Sequence, residues 1–127
     1  MKNKFAVIAA ILLLALFPRV ARAQVPTVKI TMVDAIQAGK ITVDGSYTLP
    51  AKWTLVKIRI DARPTKATKG EGKSDFATID AKKLTFTKTL TPVPTGTYDI
   101  QAVISANDPT GALRLFYSDT VADIGVK

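Results

Sequence analysis

The 127-residue sequence contains no histidine and no cysteine. Together these absences remove Ser-His-Asp and Cys-His nucleophilic catalysis, ordinary zinc sites, thiol redox chemistry, disulfides and lipid attachment at a cysteine. Glutamate occurs once, at Glu71, so any paired-carboxylate chemistry falls to the nine aspartates. Most of those alternate with apolar residues along extended runs, which marks solvent-facing positions. Ser46, Ser74, Ser105 and Ser118 carry no motif around them, and a lysine would have to act as their base. No catalytic residue, metal ligand or cofactor-binding residue is therefore expected, and no cofactor. Also missing are an Asn-x-Ser/Thr sequon, an internal repeat, a heptad pattern, and any helical stripe of about eleven residues or more in the chain after residue 23.

What is present begins with an apolar run. Lys2 and Lys4 precede Phe5 to Phe17, thirteen uninterrupted apolar residues. As a helix this run spans about 20 Å, short of the ~30 Å hydrocarbon core of a bilayer. Ala21-Arg22-Ala23 then supplies the small-x-small pattern that a signal peptidase reads. Residues 1–23 are thus expected to be a signal-peptide helix, with Gln24 as the new N-terminus and no stable membrane insertion after cleavage. Their removal leaves 104 residues carrying 14 basic and 10 acidic side chains, net +4. That length makes one domain, residues 24–127, and buries enough apolar surface to do without disulfides. The expected location is secreted or periplasmic, the pattern suiting a bacterial envelope better than a eukaryotic secretory route.

From Thr27 onward the hydrophobic period is two. Val56-Lys57-Ile58-Arg59-Ile60-Asp61-Ala62 alternates strictly, and Val28–Met32, Ile41–Asp44, Leu84–Thr87 and Tyr98–Ala102 repeat the pattern. Turn signals separate them at Ala38-Gly39, Leu49-Pro50, Arg63-Pro64, Pro92–Gly96 and Asn107–Gly111. Strands are expected near 27–33, 40–48, 54–62, 75–80, 84–90, 96–105 and 112–126, the last broken near Asp119. Seven or eight short strands with one wet face each predict an all-β antiparallel sandwich.

Gly96-Thr97-Tyr98-Asp99-Ile100-Gln101-Ala102 resembles the penultimate strand of immunoglobulin-like and fibronectin type III-like domains. The resemblance implies a tyrosine, Tyr98, that folds back on the preceding loop as a corner. Trp53, just before the alternating run 54–62, resembles the tryptophan that immunoglobulin-like folds place on their third strand, which implies a structural role for it. The inter-sheet cysteine pair of antibody-type domains is missing. Such a fold names no activity, because function belongs to sites grafted on it.

Three features compete as sites. Arg63 to Ser74 holds Arg63, Lys66, Lys69 and Lys73 against Glu71 alone, net +3, so most of the excess charge sits in one expected flexible loop. Contact with an anionic polymer is the functional reading, and a solvated connector the alternative. The absence of a stacking aromatic there argues against nucleic acid. Asn107-Asp108-Pro109 resembles the Asn-Asp linkers through which cadherin-like domains hold calcium. Asp108 is a lone local acid, and a β-turn explains the same residues. Trp53, Tyr47, Phe116 and Tyr117 form either an aromatic platform for a sugar or part of the core. Residues 112–118 and 120–126 repeat the alternation more weakly, with Leu113, Leu115 and Tyr117 on one side, and alternation points Tyr47 and Tyr117 inward and Phe116 outward.

The expected function is a non-catalytic module with a binding, adhesion or structural role in the cell envelope. Its partner would be another envelope or extracellular protein, or an anionic polymer, and not nucleic acid. A small secreted ligand-binding or inhibitor protein is the alternative, and a hydrolase subunit follows behind it.

Overall fold

The computed structural model describes residues 24–66 and 68–127. The expected signal-peptide helix, residues 1–23, lies outside the described residues. The strands are β1 (Thr27–Asp34), β2 (Ile41–Thr48), β3 (Thr54–Pro64), β4 (Lys73–Phe76), β5 (Thr78–Asp80), β6 (Thr85–Leu90), β7 (Gly96–Asn107), β8 (Leu113–Tyr117) and β9 (Val121–Val126). Every pairing is antiparallel. One sheet runs β1-β2-β6-β5, the other β4-β3-β7-β8, with β9 on the same edge of β7 as β8. The chain crosses between sheets after β2, β4 and β6. This is the immunoglobulin order, A-B-E-D facing C′-C-F-G. The fold is an immunoglobulin-like β-sandwich.

Two expected strands divide, each for a local reason. The run 75–80 splits at Ala77, whose N–H donates to Ile58 O of one sheet at 2.8 Å before the chain passes to the other. The run 112–126 breaks at residues 118–120. There Ser118 is buried, its hydroxyl accepts the Ala102 N–H and donates to Asp119 O, each at 2.9 Å. A side chain thus replaces one rung of the ladder and satisfies the freed backbone groups.

The core fills the space between the sheets with the inward half of each alternating run. Ile41, Val43 and Tyr47 come from β2, Ile58 and Ile60 from β3, and Ile100 and Ile104 from β7, all buried. Tyr98 is 1% exposed and its hydroxyl donates to Pro94 O at 2.8 Å, closing the loop before β7. Trp53 takes no place in this core. It precedes β3 half-buried, and Ile58 and Ile60 occupy the middle of the strand where the immunoglobulin-like resemblance implied a tryptophan.

One orientation is the reverse of that expected. Leu113, Leu115 and Tyr117 point to solvent, 58%, 49% and 56% exposed, while Phe116 packs against the core. Tyr47 is buried as alternation predicts. The register decides β8: Phe116 stands opposite Ile104, which faces inward with no exposure, so Tyr117 opposite Val103 faces out. A one-residue change of register would exchange the two faces.

Candidate functional site

Two surfaces of the sandwich carry more than solvated side chains. The first is the outer face of the β4-β3-β7-β8 sheet. Cross-strand pairing sets Tyr117, Val103, Arg59 and Phe76 in one row over all four strands, and Leu115, Ser105 and Lys57 in the next. Phe76 is half exposed, and Lys57 Nζ stands 4.5 Å from its ring centroid in a cation–π contact. Arg59 grips Asp61 with two hydrogen bonds, Nε to Oδ1 at 2.7 Å and Nη2 to Oδ2 at 3.1 Å. Burial pushes the Asp61 carboxyl up. Hydrogen bonds from Arg59 and Ser74 and the Arg59 and Arg63 charges outweigh it and hold the group below the ordinary carboxylate range. The face therefore reads as a fixed charged strip flanked by exposed apolar side chains, with most of the apolar surface on β8.

The second is a cleft of about 810 Å³ at the end of the sandwich where the β2–β3 and β7–β8 turns meet. Its walls are Val25, Pro50, Trp53, Pro109, Leu115 and Phe116, with Asp108 and Arg114 at one side. Trp53 and Phe116 meet edge to face, ring centroids 5.7 Å apart and planes at 67°. Of the four aromatics considered as a platform, these two come together. Tyr47 lies in the core and Tyr117 on the sheet face.

Asp108 is spent on its own turn. Its Oδ1 accepts the Thr110 hydroxyl, the Thr110 N–H at 2.8 Å and the Ala112 N–H at 3.0 Å, and Oδ2 accepts Arg114 Nε at 3.3 Å. Donation from the Thr110 hydroxyl, then the two backbone N–H groups and Arg114, outweighs burial and lowers its carboxyl from 3.8 to about 2. Four donors on one carboxylate make a turn, and no group of three or more metal-ligating side chains occurs among the described residues. A carboxyl depressed in the folded state stabilises the hairpin above its ordinary value, and that support is lost as pH falls through about 2. Carboxyl-detected NMR titration should thus give Asp108 a midpoint near 2, with the Thr110 and Ala112 amide shifts following it. A midpoint at 3.8 would mean the turn is not held by this side chain.

The basic residues do not assemble into a patch. Arg63 lies on β3 and Lys73 on β4, so the connecting loop is residues 65–72 rather than 63–74. Arg63 Nη2 donates to Gln101 Oε1 at 2.6 Å on the outer face. Lys73 stands opposite Ala62, one residue from Arg63 and hence on the other face. Lys66 and Lys69 are exposed on the loop, at the end of β3 away from Trp53. The loop is also pinned rather than loose: Thr68 Oγ1 donates to Thr97 O at 3.1 Å and accepts Thr97 N–H at 2.7 Å. Lys66→Ser with Lys69→Ser should therefore leave the urea midpoint within about 0.5 kcal/mol of the parent, as for exposed sites without packing. A larger loss would show that these stems are packed.

No protein-family model matches the chain, and no curated protein matches it. Among solved structures, the chain is similar to murine CRIg, with TM-score 0.49 and 8% identity over 82% of this chain and 99% of that chain.

Arg114 and the two turns become neighbours of Trp53 only in the folded chain. Their juxtaposition comes from β8 pairing with β7 and β7 with β3, and no local pattern encodes it. The alternation of Leu113, Leu115 and Tyr117 was the one signal of the sheet face, and it pointed inward, the reverse of what the register gives.

Proposed function

We propose that the chain is an exported, non-catalytic binding module that works outside the cytoplasm, secreted or periplasmic, and engages another envelope or extracellular protein through the outer face of its β4-β3-β7-β8 sheet. One observation carries the reading. Leu113, Leu115 and Tyr117 are each about half exposed on one side of β8, and Phe76 closes the same face on β4. Grouped apolar exposure of this kind, bordered by polar residues, marks interaction sites. Arg59, Asp61 and Lys57 between the two apolar edges would fix orientation rather than supply most of the affinity. An anionic polymer is less well served, because Arg63, Lys66, Lys69 and Lys73 are distributed over two faces and a loop.

Export itself is tested by intact mass: secreted protein should begin at Gln24, and a full-length membrane-retained species would overturn that part. The surface is tested by retention. Leu113→Ser, Leu115→Ser and Tyr117→Ser combined should shift the exported protein from the envelope-associated to the free fraction. The urea midpoint should hold, since these side chains are solvent-facing. Equal retention of parent and variant would remove the face from the account.

A further inference from the structure

The cleft shares Leu115 with the partner surface but opens at the end of the sandwich, and its chemistry is asymmetric. Val25, Pro50, Trp53, Pro109 and Phe116 make an apolar wall, while the polar lining is Asp108, Thr110 and Arg114 at the β7–β8 turn and Gln24 beside Val25. Asp108 is saturated, as both of its oxygens already accept hydrogen bonds. Arg114 is not. Its side chain is 62% exposed, only Nε is engaged, and its two Nη groups make no hydrogen bond among the described residues. A guanidinium with its outer edge free, set at the rim of an apolar cleft, presents two parallel N–H donors in the spacing of a carboxylate. At about 810 Å³ the space falls in the range of small-molecule sites.

We propose that this cleft binds a small carboxylate with an apolar body, the body between Trp53 and the prolines and the carboxylate on Arg114 Nη1 and Nη2. The Asp108 charge does not exclude such an anion. Three donors besides Arg114 offset it, and its carboxylate holds the Arg114 stem in place. A free organic acid and the C-terminus of an apolar peptide share this chemistry.

Trp53 is the only tryptophan in the chain, so its fluorescence reports the cleft directly. Titrating the exported protein with phenylbutyrate should shift and saturate that emission. The neutral amide, phenylbutyramide, should bind about tenfold more weakly, the worth of a charge-assisted pair of hydrogen bonds in a partly exposed site. Arg114→Gln should bring the acid down to the level of the amide and leave the amide unchanged. The same titration with Ala-Ala-Phe tells the two sources apart: tighter binding than phenylbutyrate, lost on C-terminal amidation, assigns a peptide terminus, and weaker binding assigns a free acid. Equal affinity for acid and amide, no saturable change with either, or an acid affinity unaffected by Arg114→Gln would overturn the proposal. Lys66→Gln, at the opposite end of β3, serves as the charge-matched control and should change nothing.

Discussion

Alanine at position 45 is expected to cost about 3 kcal/mol, at the upper end of the usual penalty for overpacking. Gly45 sits on β2 in the inward-facing row between Val43 and Tyr47. A Cβ there would lie 2.1 Å from Phe86 Cζ and 2.3 Å from Lys29 O. Both distances are far inside contact, and neither neighbour yields freely. Phe86 is buried in the core, and Lys29 O belongs to the backbone of β1, just before the bulge between Ile30 and Met32. One methyl group would therefore push two strands apart or drive an aromatic ring out of its rotamer. The ring should account for part of the strain, so Phe86→Leu is expected to rescue Gly45→Ala partially, even though it destabilises the parent. Urea unfolding of the four proteins makes the double-mutant cycle. Additive losses would mean that the backbone contact, not the ring, sets the cost.

The second large effect belongs to Tyr98. Tyr98→Ala should remove about 3–5 kcal/mol, the range for deleting a buried aromatic side chain. Tyr98→Phe should remove about 1 kcal/mol, the net worth of a single hydrogen bond, here the one to Pro94 O. The two substitutions separate the ring from the hydroxyl. A Phe variant as stable as the parent would mean that the corner contributes shape and no hydrogen-bond energy.

The strand positions were legible because each sheet has one wet face, and a period of two survives wherever that holds. Ile58-Arg59-Ile60-Asp61 is the clearest case. β8 was legible as a strand and misleading as to its face. Its more apolar side, Leu113, Leu115 and Tyr117, is the exposed one, while Phe116 packs against the core. Apolarity decides orientation only when burial is the sole demand on a strand. Here the pairing of Phe116 with Ile104 prevails, and the apolar side is left to solvent. The sheet change at Ala77 was not legible, because both halves of 75–80 read as one extended run. Nor was the Trp53–Phe116 contact, since Trp53, just before β3, and Phe116 on β8 are brought together only through β7.

A photo-crosslinking amino acid placed at position 117 of the full-length chain expressed in intact cells tests the proposed binding face most directly. The account predicts a discrete protein adduct from position 117 that disappears when Leu113→Ser and Leu115→Ser are added, with none from position 66 or 69. Adducts from 66 and 69 but not from 117 would contradict it, and would move the contact from the sheet face to the basic loop.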